Sequence, residues 1–174
     1  DNVQFNRRGW VHRNKLFNYE NQLDWLSLPI KKMPRDSTKI MDLKFRNESR
    51  ETFVQNCRKF PKLNNILNLN REIIDLMLDF DKDVNDYLCE TIKFSSGILG
   101  FSYNWYKASD LKIKKSEDAQ NDIINIVNFF GAEKYLNLPG GKNLYSEKAF
   151  NSNGIELTFL EDEDRKHSIL EKLI

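Results

Sequence analysis

DNVQFNRRGWVHRNKLFNYENQLDWLSLP, residues 1–29, places acid, amide, guanidinium, imidazole and indole groups where a strand that only fills a core carries Val, Ile and Leu. Residues 10–17 are predicted to be extended and to pair with residues 25–28 in a hairpin. The second strand ends at Pro29, because proline cannot donate to a ladder. This much polar chemistry in paired strands predicts a site as well as a fold element.

The period of two of a strand divides residues 10–17 between a face with Trp10, His12, Asn14 and Leu16 and a face with Val11, Arg13, Lys15 and Phe17. An aromatic ring beside a His and an Asn can stack on a sugar while their polar atoms select its hydroxyls. The other face offers two cations to an anion. The spacing fits equally well an edge strand whose charges are only solvated.

The composition bounds the class of protein. The chain of 174 residues is 40% hydrophobic and 12% aromatic, which is enough for a core and predicts one domain over residues 1–174. Its 27 basic residues nearly balance 26 acidic ones, so no bulk field favours nucleic acid or a membrane surface. Cys57 and Cys89 fall in separate predicted helices, which indicates reduced thiols of a cytoplasmic protein. No apolar run reaches the length of a membrane span.

The hydrophobic periodicity predicts an α/β fold. Strands are predicted near both ends of the chain, over residues 10–17, 25–28, 41–45, 134–138 and 155–159. Helices are predicted over residues 49–60, 63–78, 81–92, 116–130 and 147–152, with a last amphipathic helix that carries Ile169, Leu170 and Leu173. Phe53 and Cys57 in the first of these helices and Ile92 in the third are predicted to face the core, and Gly131 is predicted to end the fourth. We therefore expect a mixed sheet built from the N-terminal and C-terminal strands, with the central helices packed on it.

Five separated motifs resemble the WbqC-like family. Its patterns D-D-V-Q-Y, W-x-N-R-N and W-L-T-V-P are similar to DNVQF at residues 1–5, WVHRN at 10–14 and WLSLP at 25–29. SDL at residues 109–111, and YL at 135–136 followed by GGK at 140–142 and Tyr145, fit in the same order. The chain departs from the pattern at Asn2, at His12, where Asn is usual, and at Ala108.

The resemblance implies a link to bacterial surface-polysaccharide and O-antigen biosynthesis. Family members open with an aromatic, proline-bearing segment, a helix and a strand, so we expect this chain to be an N-terminally incomplete WbqC-like domain. The resemblance assigns no reaction. The leading hypothesis is a transferase that moves an acyl or aminoacyl group to a nucleotide-linked sugar, and the alternative is a non-catalytic module that binds such a sugar or a partner glycosyltransferase.

The N-terminal motifs supply the candidate catalytic residues. Asp1 can accept a proton, Gln4 can orient a hydroxyl, and the Arg13 guanidinium suits bidentate recognition of phosphate, although an Asp–Arg ion pair explains the same residues. His12 titrates near neutral pH and can act as a base. Since Asn at that position cannot carry a proton, a binding role for His12 is the stronger reading. Trp10 and Asn14 are assigned to the sugar.

The later motifs supply further binding candidates. Gly140, Gly141 and Lys142 lie between a strand and a helical turn, where main-chain N–H groups and a Lys can hold a phosphate, and a plain tight turn is the alternative. Tyr145 flanks this loop. Ser109 is predicted to bind substrate through its hydroxyl, or only to form a turn with Asp110. A role as nucleophile is less favoured, because it would need His12 or His167 nearby as a base.

Other ligand classes are less favoured. The histidines and cysteines show no metal-ligand spacing, and the sequence identifies no cofactor. Nucleic-acid binding through Arg7, Arg8, Arg13 and Lys15 is disfavoured by the near-neutral charge. The predicted partner is a nucleotide sugar or another anionic sugar.

Overall fold

The computed structural model describes residues 1–34, 37–64, 70–116, 118–161 and 168. They divide into two compact units, one of residues 1–105 with Ser168 and one of residues 106–161. Each unit combines helices with a strand pair, which confirms the α/β class. The organisation as one domain stays a prediction.

The predicted N-terminal hairpin is present. Strands β1 (Arg13–Phe17) and β2 (Leu23–Ser27) are antiparallel, with Lys15 opposite Trp25. Asn21 closes the turn with a φ of 56°, a left-handed conformation that Asn tolerates better than most residues. However, β1 begins at Arg13, and the preceding residues form a turn in which the Arg13 N–H donates to the Trp10 carbonyl at 3.4 Å. The prediction of a strand from residue 10 is therefore wrong at its N-terminal end.

The predicted strand over residues 41–45 is wrong. Ile40–Asp42 is a 3-10 helix, and the Asp42 carboxylate accepts the Lys39 N–H at 3.0 Å. This side-chain bond offers the backbone a turn in place of a ladder. Phe45 forms only an isolated β-bridge with Ile30. The alternation of apolar and polar residues around residue 43 therefore occurs without a strand.

Helix α1 (Ser49–Cys57) buries Phe53 and Cys57 as predicted. Glu48 takes the N-cap position. The Ser49 hydroxyl lies within hydrogen-bond distance of two carbonyl oxygens, that of Pro29 at 3.0 Å and that of Arg46 at 2.8 Å. A 3-10 turn, Pro61–Leu63, follows. Ser49 therefore ties α1 to the end of the hairpin instead of capping the helix.

Helices α2 (Arg71–Met77) and α3 (Val84–Ile98) complete this unit. The Asn70 side chain caps α2 by accepting the Glu72 N–H at 2.8 Å. Residues 65–69 of the predicted helix lie outside the described residues. The core of the unit joins the hairpin to the three helices through buried side chains that include Leu16, Leu26, Phe53, Phe60, Met77, Val84 and Tyr87.

The two halves of α3 differ. Val84 and Tyr87 are buried, and the Tyr87 hydroxyl donates to the Met77 carbonyl at 3.0 Å. Farther along, Ile92 is 52% exposed. The prediction that Ile92 faces the core is wrong, because the helix extends beyond the packed part of the unit.

The second unit contains α4 (Ala119–Phe129), β3 (Lys134–Asn137), α5 (Glu147–Asn151) and β4 (Glu156–Phe159). Strands β3 and β4 are parallel. Gly131, with a φ of 61°, follows the end of α4 as predicted. The core holds Ile124, Val127, Phe150, Ile155 and Leu157.

The described strands form two separate two-stranded sheets, β1 with β2 and β3 with β4. The expected single mixed sheet is therefore not found among them, because the N-terminal and C-terminal strands pair only with partners near in sequence. The predicted last helix, with Ile169, Leu170 and Leu173, lies outside the described residues.

Candidate functional site

Four side chains on the hairpin and the turn before it form an aromatic and cationic cluster, here called the tryptophan cluster: Trp10, Arg13, Lys15 and Trp25. The two indole centroids are 4.8 Å apart. The Arg13 Cζ lies 4.0 Å from the centroid of the Trp25 ring, and the Lys15 Nζ lies 5.1 Å from it. Both cations are attracted by the ring quadrupole.

Local hydrogen bonds hold Arg13 in place. Its Nε donates to the Gly9 carbonyl at 3.0 Å, and its Nη2 donates to the Arg8 carbonyl. A guanidinium has five N–H donors in a planar fork, so these bonds orient the group while leaving donors for a ligand. Arg13 is thus stacked on Trp25 and pre-organised to bind an anion.

The turn over residues 10–12 changes the predicted faces of the strand. Trp10 contacts Trp25, which lies opposite Lys15, so Trp10 shares a face with Arg13 and Lys15. The prediction that placed Trp10 on one face with His12, Asn14 and Leu16 is wrong, because the period of two holds only from Arg13 onward. An indole and a guanidinium consequently lie side by side.

His12 is buried, with 8% of its surface exposed. Its ring packs edge-on against Phe5, with centroids 5.1 Å apart. Burial, and then the positive charges of Arg13 and Arg7, lower the pKa of His12 below its usual value, so the ring is neutral at pH 7. Its Nδ1 is buried and has no hydrogen-bond partner among the described residues.

A cavity of about 430 Å³ lies next to the tryptophan cluster. Trp10, His12, Arg13 and Asn14 form part of its wall. The remaining wall is mainly apolar and comes from β2 and the three helices, through residues that include Leu26, Leu28, Phe53, Ile73, Leu76, Met77, Leu88, Thr91, Ile92, Ser95 and Leu99. The volume lies within the range of small-molecule sites.

The other predicted N-terminal site residues lie elsewhere in this unit. Gln4 lines a second cleft, of about 520 Å³, together with Arg7 and Arg8. Asp1 is half-buried, and its main-chain carbonyl accepts the Met41 N–H at 3.1 Å. Among the described residues, Asp1 lines neither of these two cavities.

In the second unit, Pro139–Gly141 forms a 3-10 turn. The N–H groups of Gly141 and Lys142 donate to the carbonyls of Leu138 and Pro139 at 3.0 and 3.1 Å. Two of the main-chain donors that were predicted to meet a phosphate are therefore used within the turn. The Lys142 side chain is exposed.

Tyr145 belongs partly to the core of this unit. Its ring lies edge-on against Phe150 and Tyr135, at centroid distances of 5.9 and 6.3 Å. Gly141 is buried, and a Cβ at that position would lie 3.2 Å from the Tyr145 Cε2. Ser109 lies exposed in the 3-10 turn Ala108–Asp110. A packing role thus explains Gly141 without any ligand.

The sequence reasoning missed the contribution of α3 to the cavity. Thr91 and Ser95 interrupt the apolar stripe of this helix one turn apart, and both line the cavity. Small polar residues within a stripe that otherwise carries Leu and Ile are the signal that was available. Trp25 was used only as part of a motif, and its role as the platform for two cations depends on strand register.

Together, the two units and the cavity define a small α/β protein with a largely apolar cavity whose wall carries aromatic and cationic groups. The model of the WbqC-like protein family matches residues 1–169, and the chain belongs to this family. No curated protein and no solved structure matches it significantly.

Two features are absent from the part of the chain that the structure describes. No helix there is both long and apolar enough to cross a membrane. In the same residues, no group of three or more His, Cys, Asp or Glu side chains is placed to hold a metal ion.

Proposed function

We propose that the protein is a cytoplasmic transferase of bacterial surface-polysaccharide, or O-antigen, biosynthesis that moves an acyl or aminoacyl group to a nucleotide-linked sugar. The observation that carries the proposal is the tryptophan cluster, two members of which, Trp10 and Arg13, line the cavity. The stacked, hydrogen-bonded Arg13 beside Trp10 suits a ligand that combines a negative charge with a flat or sugar-like face.

In this proposal the substrate lies across the tryptophan cluster. Trp10 stacks on the sugar or base, and Arg13 holds an anionic group, while Asn14 and Gln4 bind hydroxyls. A hydroxyl or amino group of the sugar attacks the acyl carbonyl carbon, and the bond from that carbon to its leaving group breaks. The carboxylate of Asp1 or the neutral imidazole of His12 takes the proton from the nucleophile, and the leaving group is released as its conjugate acid or anion.

In the second unit, we assign Gly140, Gly141 and Lys142 to an anionic group, Tyr145 to the sugar or base face, and Ser109 to a substrate contact through its hydroxyl. The exposed ammonium of Lys142 supports this role, because it is a mobile point charge. The hydrogen bonds inside the turn make the main-chain contribution smaller than a phosphate loop would supply.

Isothermal titration with UDP- and dTDP-linked sugars tests the binding part of this proposal. Arg13→Ala is expected to weaken binding by about tenfold to a hundredfold, since charge-assisted hydrogen bonds contribute roughly 1.5–3 kcal/mol. Arg50→Ala is the matched control, because Arg50 is exposed on α1 and lines neither of the two cavities. Equal affinity in both variants would contradict the assignment.

The alternative is a non-catalytic module that binds the same sugar. It is favoured by the burial of the His12 Nδ1, which places that atom away from solvent, and by the absence of Asp1 from the described walls of the cavities. His12→Asn distinguishes the two roles of this residue. Asn can hydrogen-bond but cannot take up a proton, so turnover that survives the change assigns His12 to binding, whereas lost turnover with kept affinity assigns it to proton transfer.

A further inference from the structure

The cavity wall formed by the second half of α3 presents apolar surface although it contains hydroxyl groups. The Thr91 hydroxyl donates to the Leu88 carbonyl at 2.8 Å, and the Ser95 hydroxyl donates to the Thr91 carbonyl at 2.7 Å. Both donors are thus used within the helix itself. These two hydroxyls therefore offer little to a ligand that needs hydrogen bonds, and Ser96 is the further α3 hydroxyl that lines the cavity.

The apolar side chains of this wall are poorly covered. Ile92 and Leu99 line the cavity and are 52% and 42% exposed, respectively. Across from them, the hairpin and the other helices contribute Leu26, Phe53 and Met77 to the same cavity. A cavity enclosed by such side chains favours an apolar occupant, because burial of apolar surface drives binding.

The polar part of the wall indicates that the occupant also carries a polar group. His12, which is nine-tenths buried, has an Nδ1 without a hydrogen-bond partner among the described residues. This nitrogen exposes less than 1 Å² of surface, so a ligand in the cavity meets the amide of Asn14 on this wall instead. Arg13, on the same wall, adds a positive charge. The cavity therefore combines apolar walls with one polar and cationic side.

We infer that this cavity binds the acyl chain of the group donor, with the polar end of the acyl group toward the side of the wall that Arg13 and Asn14 form. The inference rests on the proposed transferase function, since it assigns the cavity to the donor and the tryptophan cluster to the meeting point of the two substrates. It names the transferred group as a hydrocarbon chain of medium length, in contrast to a small or strongly polar acyl group.

A series of saturated fatty acids, octanoate, decanoate and dodecanoate, used below their micelle concentrations, tests the inference. Binding is followed by tryptophan fluorescence, since Trp10 lines the cavity. Each added methylene is expected to tighten binding about fourfold, so decanoate should bind roughly fifteenfold more tightly than octanoate until the cavity is filled.

Two substitutions on α3 locate the chain. Ser95→Phe places a ring where the cavity lies and should remove the dependence on chain length. Lys93→Phe adds a ring of the same size at an exposed position of the same helix that lies outside the described cavity wall, and should preserve the dependence. Thr91→Leu adds less volume and serves as the second filling variant should Ser95→Phe fail to fold.

Loss of the chain-length dependence in a filling variant, with its retention in Lys93→Phe, supports the inference. Affinity that does not rise with chain length in the wild type, or that both filling variants leave unchanged, overturns it. The nucleotide-sugar titration is independent of this series. If nucleotide sugars do not bind while the chain-length series behaves as expected, the proposed acceptor is wrong and the acyl site stands.

Discussion

A methyl group added at Gly141 is expected to destabilise the second unit, while one added at Gly140 is not. The Cβ of Gly141→Ala would lie 2.4 Å from the Asn137 Nδ2 and 3.2 Å from the Tyr145 Cε2. Both distances are shorter than ordinary van der Waals contact, so a neighbour must move. At Gly140, nothing lies within 4 Å of the added atom.

The magnitude follows from what each neighbour would give up. The Asn137 Oδ1 accepts the Leu138 N–H at 2.8 Å, so turning this amide away costs about 1 kcal/mol. The Tyr145 ring is held against Phe150, and overpacking of such a contact costs roughly 1–3 kcal/mol. The lower entropy of the unfolded alanine chain returns about 0.4–1 kcal/mol in either variant. We therefore expect Gly141→Ala to lower the unfolding free energy by about 1–3 kcal/mol. Gly140→Ala should leave the unfolding free energy unchanged or raise it slightly.

Urea unfolding of the two variants beside the wild type measures the difference, with tyrosine fluorescence or circular dichroism as the probe. Because both changes remove a glycine from the same turn, the comparison cancels most effects on the unfolded state. Equal stability of the two alanine variants would refute the reasoning, since only the close approach at Gly141 distinguishes them.

Three further predictions concern the first unit. Tyr87→Phe should lose about 1–2 kcal/mol of unfolding free energy, because it removes the hydroxyl that donates to a buried carbonyl. Tyr19→Phe, at an exposed position, is the control and should change the unfolding free energy by less than about 0.5 kcal/mol. Since the folded state lowers the pKa of His12 below 6.5, the folded protein binds fewer protons than the unfolded one between the lowered pKa and 6.5. Stability should thus rise with pH across that window, less steeply in His12→Asn, and identical slopes in pH-dependent unfolding curves would count against the burial of this ring. Burial raises the pKa of Cys57 to about 12. A thiol reagent at pH 8 should therefore modify half-buried Cys89 and react with Cys57 only after unfolding. Rapid reaction of both thiols in the native protein would contradict this prediction.

The parts of the fold that were predictable depend on local signals. Gly131 marks the end of α4 because a residue without a Cβ adopts a positive φ at the least cost, and the alternation of Leu157 and Phe159 with polar residues marks β4. The hairpin was predictable because Trp25 and Leu26 lead directly into Pro29. Such features need no knowledge of distant residues.

The errors lie where a tertiary contact or a side-chain hydrogen bond overrides a pattern. Alternation near Leu43 suggested a strand, but the bond from Asp42 to the Lys39 N–H favours a 3-10 turn. Apolar spacing placed Ile92 in the core, but the packed region ends before it. The spacing of apolar residues indicates which face of a helix is buried, but it does not indicate how many turns of the helix the core covers.

The candidate site was predictable as a set of residues and not as an arrangement. Trp10 and Arg13 were selected for their chemistry, and they do line one cavity. Their shared contact with Trp25 depends on the turn before β1 and on strand register, which spacing alone misassigned. Gly141, predicted as part of a ligand loop, lies so close to Asn137 that a Cβ has no room there, and the sequence does not indicate this proximity.

The central claim is that the tryptophan cluster binds a nucleotide-linked sugar. The chain contains three tryptophans, so their indole N–H signals in a ¹H–¹⁵N spectrum can be assigned by substituting each in turn. On titration with a nucleotide sugar, the account predicts that the signals of Trp10 and Trp25 shift together and saturate, while that of Trp105, outside the cluster, stays in place. A saturating titration that moves only Trp105, or none of the three, would contradict it.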